Sequence, residues 1–394
     1  MNPTLAMLGP IEVMQFRDLL DESNLPSQLP KGLGGSPVNL LTRELLSRGH
    51  HILLLTLDPE VKDEVVLQGP NLKICIGPFR PNRARDFFSV ECEYLRKVLK
   101  REQPDVIHAQ WTYEYALAAQ ASDLPHVITA HDAPFNVLRL GFRPYRIVRT
   151  LMAWRVLRRA RRVVSVSPHV ARHVSRFMGY RGPAEVIPNG MPESLFVRQH
   201  INRQVDRPLT FATILVGWGG LKNGQVAVDA FVQLRRVVPE VKLLMFGSGH
   251  GKNEEGERWA RERGMSEGIE FAGQVPYAVL MDRLANEVDV LVHPALEEAQ
   301  PMVLIEAMAL ALPIIGGEAS GGVPWTLDDG KAGLLVDVTD AKAVFAAMRR
   351  LAESAEERAE WGARGRQLAE QRFHIRVVAN AYERIYAALL RHGQ

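Results

Sequence analysis

Two series of short apolar runs, each alternating with helix-like segments, constrain the fold of this chain more than any other feature. The first series is "TLAML", "HILLLTL", "DVIHA", "HVITA" and "RVVSVS"; the second is "TFATILVG", "VKLLMFG", "GIEFAG", "VDVLVHP" and "LPIIGG". Strand-like runs joined through helices need crossover connections, and crossovers build parallel sheets. The polar stretch "VRQHINRQVDRP", residues 197–208, separates the series and reads as an interdomain linker. A chain of 394 residues also exceeds one ordinary core. The expectation is an α/β protein with two doubly wound domains, residues 1–197 and 208–373, and a C-terminal helix at 374–394 packing back toward the first. Ligands of such sheets sit outside the carboxyl ends of the strands.

Composition narrows the function classes. A formal net charge of +3 is small for this length, so attraction to anions must come from local clusters, and nothing indicates a nucleic-acid partner. The two cysteines, Cys75 and Cys92, have no metal-ligand spacing and suit a reducing cytosol, and no ligand cluster suggests a metal. The opening "MNPTLAMLGPIEV" lacks a basic signal-peptide region, and no run approaches the roughly 20 apolar residues of a membrane span. A cytoplasmic protein that meets a membrane only from the side is expected.

The stretch "EEAQPMVLIEAMALALPIIGG", residues 297–317, sets one carboxylate, Glu306, in an almost wholly apolar run. Pro301 suits a first helical position and Pro313 forbids continuation, so a helix is predicted from about Pro301 to Leu312. Apolar all round, it must be buried, and a buried carboxylate needs a partner or a shifted pKa. Glu298 falls just before the helix, near unpaired N–H groups that suit phosphate. Either acid taken alone is as well explained by an arginine or lysine partner, or by solvent. Eight helical residues rise roughly 12 Å, more than the roughly 5–9.5 Å of a hydrolytic carboxylate pair. Two separate contacts along one extended, phosphate-bearing ligand fit better.

The Glu298–Glu306 spacing, followed by "AMALALPIIGG" and "GGVPWTLDDGKAGLLV", resembles the retaining glycosyltransferases of family 4. "GLGGSPVNLLTRELLSRGHHILLLT", "DVIHAQW", "VITAHD", "SVSPHVARHVSRFMGYRGPAEVIPNG" and "GSGHG" extend the likeness, in order, over nearly the whole chain. The resemblance implies a GT-B fold, two facing doubly wound Rossmann-like domains with a deep cleft, and transfer of a sugar from a UDP- or GDP-sugar without a metal or other cofactor. It also implies roles. Glu306 would hold the ribose, Glu298 would approach the transferred sugar, and the N–H groups of Met302 and Val303 would hold the diphosphate. Gly34 and Gly35, before a helix that Ser36 caps and Pro37 opens, would lie against the donor. A tight strand-to-helix turn explains the same glycines. The long loop from about Gly9 to Leu33 is expected to be either functional, near the acceptor, or disordered.

His131, at the end of "HVITA", matches the family histidine that faces the donor sugar, which implies positioning and electrostatic help; a structural histidine is the alternative. Front-face attack in such enzymes leaves the departing diphosphate as the charge to be stabilised. A "GR" then "KG" pattern usually does this. Here "LVGWGGLKNGQ" supplies Lys222, but Trp218 stands where arginine is expected. Neither tryptophan nor a lysine reproduces a bidentate guanidinium. Trp325 replaces a frequent glutamate, and Asn189–Gly190 reads as a plain turn. The stretch 142–164 carries Arg143, Arg146, Arg149, Arg155, Arg158, Arg159, Arg161 and Arg162 without an acid; Arg155, Arg158, Arg159 and Arg162 are expected on one face, facing either solvent or an anionic membrane. A retaining transferase acting on an envelope, polysaccharide, lipid-linked or small-molecule acceptor follows. The alternatives are a non-catalytic nucleotide-binding relative and a nucleotide-sugar epimerase.

Overall fold

The computed structural model describes residues 3–141, 143–198 and 207–392; most of the expected linker, 199–206, and Phe142 lie outside them. The chain divides into two compact units, Met1–Gly190 with Ile375–Gln394, and Met191–His374. The second unit begins upstream of the polar stretch because Met191, Leu195 and Phe196 are buried in its core. Met191 N–H also donates to the Phe373 carbonyl at 2.7 Å.

In the first unit, β1 (Thr4–Leu8), β2 (His51–Asp58), β3 (Val65–Gly69), β4 (Leu72–Pro78), β5 (Val106–Gln110), β6 (His126–Ala130), β7 (Val163–Ser165) and β8 (Glu185–Val186) form one sheet. Its order is β3-β4-β2-β1-β5-β6-β7-β8. Only β3 runs antiparallel, paired to β4. β1 sits centrally with every residue after Thr4 buried, as a strand covered on both faces must be. The helix Ile375–His392 belongs to this unit. Its Ile375, Val378, Ala379, Tyr382, Ile385 and Tyr386 enter the same core as β1 and the helix Ser36–Ser47. Glu383 on it takes Arg48 and His50, each at 2.8 Å.

The Gly9–Leu33 segment is ordered. Two short 3-10 turns, Val13–Leu19 and Glu22–Asn24, hold it, with Ile11, Val13 and Phe16 fully buried. Asp58 Oδ2 accepts from Gly32 N–H at 2.6 Å and ties its end to β2.

In the second unit, β9 (Thr210–Ile214), β10 (Lys242–Phe246), β11 (Ile269–Gly273), β12 (Val290–His293), β13 (Ile314–Gly317) and β14 (Leu334–Val336) form a parallel sheet. Its order is β11-β10-β9-β12-β13-β14. Strand order reverses beside β9, so the loops after β9 and β12 flank a topological switch point.

Candidate functional site

The loop after β9, "LVGWGGLKNG", is fixed at three places. Trp218 turns inward, 2% exposed, with ring centroids 5.4 Å from both Trp259 and His250. Asn223, in the left-handed region, donates its side-chain amide to the carbonyls of Pro294 and Val338 at 3.1 and 2.8 Å. Leu296 N–H donates to the Leu221 carbonyl at 2.8 Å, which ties this loop to the one after β12. Trp218, which stands where the resemblance expects a phosphate-holding arginine, therefore belongs to the core. Trp325 likewise packs edge-on against Phe373, with the Arg372 guanidinium 5.2 Å from its ring.

Loop fixation places Lys222 Nζ 2.6 Å from Glu298 Oε1. His293, the last residue of β12, sets its Nε2 3.4 Å from the same oxygen. Burial alone would raise the Glu298 pKa, but His293 and Lys222 outweigh it and hold the carboxylate at about 2. A solvated Glu298 is therefore excluded. Two glycines make its loop possible. A Cβ on Gly321, which has φ +62°, would lie 2.4 Å from the Glu298 carbonyl oxygen, and one on Gly322 would lie 2.1 Å from that of Ala299. Gly322 N–H donates to the Glu298 carbonyl at 2.7 Å.

The helix after this loop spans Met302–Ala309, with Pro301 as its cap and no side-chain cap bond. It ends three residues before the expected Leu312, because Ala311 enters the left-handed region and Ala311 and Leu312 N–H close back onto Met308 and Ala307. Met302 and Val303 open its first turn, where helix geometry leaves N–H groups without intrahelical partners. Glu306 is 7% exposed. Burial pushes its pKa up to about 7, opposed by its hydrogen-bonding neighbour, the Tyr277 hydroxyl. Among the described residues no lysine or arginine comes within ion-pair distance of Glu306, so the cationic partner considered from sequence is not there. Tyr277, His293 and the Gly321–Gly322 pair were not singled out by sequence. Position directly after a strand could have found His293; nothing local marks Tyr277.

In the first unit, Gly34 and Gly35 precede the helix Ser36–Ser47 with φ of +76° and +115°. The cap is Gly35 rather than Ser36: its carbonyl accepts from Val38 and Asn39, and a Cβ there would strike the Pro10 carbonyl at 2.1 Å. A Cβ on Gly34 would meet only open space. His131, just past β6, stacks on Trp111 at 4.2 Å and its Nε2 lies 2.6 Å from Gln110 Oε1. That bond makes Nε2–H the donor and leaves Nδ1 as acceptor. Burial lowers the His131 pKa to about 3, so the ring is neutral at physiological pH. Gln110 Nε2 continues to His108 at 3.1 Å, and His108 Nδ1 to the Tyr386 hydroxyl at 2.7 Å.

Of the four arginines expected on one face, Arg155, Arg158 and Arg159 stay together and Arg162 does not; Arg146 and Arg149, outside that group, have partners of their own. Arg146 donates to the Val137 and Gly141 carbonyls, Arg149 turns inward over Tyr113, and Arg162, beyond the end of the helix Pro144–Arg159, pairs with Glu185 at 3.2 Å. Arg155, Arg158 and Arg159 line a groove of about 860 Å³ together with Trp154 and Leu151. Those two apolar side chains are 44% and 48% exposed.

Over 99% of this chain and 100% of the other, the structure is similar to sucrose-phosphate synthase from Thermosynechococcus elongatus, with a TM-score of 0.77 at 20% identity. Over 98% and 100% it is similar to Anabaena HepE in complex with UDP-glucose, with a TM-score of 0.68 at 15% identity. The two parallel-sheet units are of the GT-B glycosyltransferase class. In sequence, residues 38–195 match the family described as Glycosyltransferase Family 4, and residues 219–368 match Glycosyl transferases group 1. The chain belongs to this family of glycosyltransferases. A lipopolysaccharide core biosynthesis glycosyltransferase, LpsE of Rhizobium meliloti, is 25% identical over 297 residues, 75% of this chain and 79% of that one.

Proposed function

We propose that the chain is a retaining, metal-independent glycosyltransferase that moves a sugar from a UDP- or GDP-sugar to an envelope, polysaccharide, lipid-linked or small-molecule acceptor. The observation that carries this is the grouping, at one switch point, of Lys222 on Glu298, the open first turn at Met302 and Val303, and buried Glu306 one turn beyond. Lys222 supplies positive charge where the departing diphosphate needs it. Glu298 approaches the transferred sugar, and Glu306 accepts from ribose hydroxyls. We assign Gly34 and Gly35 to close backbone approach by the donor, and His131 to positioning the sugar through its neutral ring. A histidine of pKa near 3 is a poor proton acceptor at pH 7, which supports positioning over base catalysis. The lipopolysaccharide role of LpsE favours a cell-envelope acceptor, and HepE with UDP-glucose favours a uridine donor.

Thermal unfolding with UDP, GDP, ADP, TDP and CMP, with and without EDTA, tests the donor site. One diphosphate raises the midpoint, and EDTA leaves that shift intact. No shift with any of them favours a relative that has lost its donor. Glu306 adds a pH signature. Its raised pKa stabilises the fold fully below about pH 4.5, and that contribution is lost as pH rises through about 7, where the ionised acid sits buried and unpaired. Ribose hydroxyls donate to the ionised form, so UDP-glucose affinity should rise about tenfold between roughly pH 6 and 8 in proportion to the ionised fraction. Glu306→Gln should bind weakly and without this slope; a slope kept by the variant removes the ribose role.

Arg155, Arg158 and Arg159, beside exposed Trp154 and Leu151, suit an anionic membrane surface, which would place the enzyme at the cytoplasmic face. No described helix is long and apolar enough to cross a membrane. Sedimentation with phosphatidylglycerol vesicles should fall about fivefold for Arg158→Gln at low salt, from roughly 1 kcal/mol per arginine. Equal binding by the variant argues for a merely solvated groove.

A further inference from the structure

His131 is held from two sides. Trp111, stacked on it, takes φ +65°, a conformation strained for a bulky side chain that persists only where its surroundings enforce it. Gln110, 2% exposed, supplies the amide oxygen that accepts from His131 Nε2–H. Its side chain fills the space beside Gly9, where a Cβ would come within 2.9 Å of Gln110 Cβ and 3.1 Å of Cγ.

Which end of the Gln110 amide faces His131 decides the tautomer of that ring. An oxygen there requires Nε2–H and leaves Nδ1 to accept, whereas an amide nitrogen would reverse both. The orientation is fixed by what the amide nitrogen meets on its far side. Met7 Sδ lies 3.3 Å from Gln110 Nε2, and the His108 ring nitrogens Nε2 and Nδ1 lie at 3.1 and 3.4 Å. Sulfur and ring nitrogen accept from the amide, and a reversed amide would set its oxygen against their lone pairs.

His108 is fully buried, and burial lowers its pKa to about 3, as it does for His131, so each ring is neutral with one N–H. Its Nδ1 lies 2.7 Å from the Tyr386 hydroxyl and its Nε2 2.7 Å from the Thr129 hydroxyl, which is 2.9 Å from the Tyr382 hydroxyl. For His108 Nε2 to accept from Gln110, Nδ1–H must donate to Tyr386, with Thr129 donating to Nε2 and Tyr382 to Thr129. Among the described residues no group bonds His131 Nδ1, which is left to a ligand.

We propose that Gln110 and His108 are positioning residues which, held through Tyr386 of the helix Ile375–His392, set His131 as its Nε2–H tautomer and so present a bare Nδ1 to a hydroxyl of the transferred sugar. This rests on the sugar-positioning role given to His131 above.

Nuclear magnetic resonance of the full chain, labelled with nitrogen-15 histidine, reads the tautomer, because protonated and bare ring nitrogens resonate apart; the His131 signals are those lost in His131→Asn. The parent should be Nε2–H. Tyr386→Phe keeps an aromatic ring against His108, where the centroids are 5.7 Å apart, but removes the acceptor for Nδ1–H. His108 should then take its other tautomer, the Gln110 amide should reverse, and His131 should become Nδ1–H. By calorimetry, UDP-glucose affinity should fall about fivefold, the size of one hydrogen bond, with UDP affinity unchanged. Tyr382→Phe removes a hydroxyl of the same helix and leaves His108 Nδ1 its partner, so tautomer and UDP-glucose affinity should both stay as they are. A merely structural helix contact would make the two phenylalanine variants behave alike. An Nδ1–H ring in the parent, which needs no variant helix to fold, overturns the proposal, as does a ring that stays Nε2–H in Tyr386→Phe. A switched tautomer with unchanged UDP-glucose affinity upholds the hydrogen-bonded relay and removes His131 from the sugar, a failure of the functional reading alone.

Discussion

Replacing Lys222 with alanine should lower kcat by about two to three orders of magnitude, the usual loss when one preorganised donor to a developing negative charge is removed. Donor affinity should fall much less. Lys222 is fixed in advance by the Leu221–Leu296 and Asn223 hydrogen bonds and by Glu298 at 2.6 Å, so in the proposed reaction its charge would reorganise little as the diphosphate departs. Stability should change by no more than about 1 kcal/mol, because the pair is partly exposed and His293 still faces the carboxylate. Steady-state kinetics with a nucleotide-sugar, together with direct titration of the diphosphate, separates the two effects. Equal losses in kcat and affinity would make Lys222 a ground-state binder and remove it from leaving-group stabilisation.

Substituting arginine for Trp218, the residue the family resemblance leads one to expect, should damage the protein rather than restore phosphate binding. The indole is enclosed: a Cβ on Gly224 or Gly256 would come within 2.9 or 2.7 Å of its ring. His250 beside it has its pKa lowered by burial, so an arginine would arrive next to a neutral ring. A buried, unpaired guanidinium should cost about 3–5 kcal/mol in urea unfolding. Trp218→Phe, which keeps the apolar contact, should cost less than about 1.5 kcal/mol. An arginine variant that folds as stably as the parent and binds diphosphate more tightly would place position 218 at the ligand.

What sequence could and could not deliver follows from where the information is local. The central parallel strands, such as β1, β9 and β12, were legible because each is a short, mostly apolar run buried along its length, whereas the short strands β8 and β14 at the sheet edges were not read. The β3–β4 hairpin was not read as strands: β3 is an edge with exposed and buried residues intermixed, and it breaks the parallel rule. Glu306 announced itself by being the one charge in an apolar helix. Its neighbour Tyr277 did not, since it lies on another helix, 29 positions away in the chain. Trp218 was read only as standing where an arginine is expected, because a position in a motif carries no direction; the T-shaped contact with His250 supplies it. Arg162 was grouped with Arg155, Arg158 and Arg159 by helical angle, but it lies beyond the end of the helix and its partner, Glu185, comes from elsewhere in the fold.

The first unit leaves its own sequence at Gly190 and resumes only at Ile375, whereas the second is continuous from Met191 to His374. During synthesis, then, the earlier-made unit is the later to be completed. Until the closing helix leaves the ribosome, its sheet lacks Tyr382 and Tyr386, and the chain His131–Gln110–His108 has no terminus. A nascent chain stalled before residue 375 should hold a folded second unit beside an unfinished first one, with the hydrophobic seat of the missing helix open to chaperones.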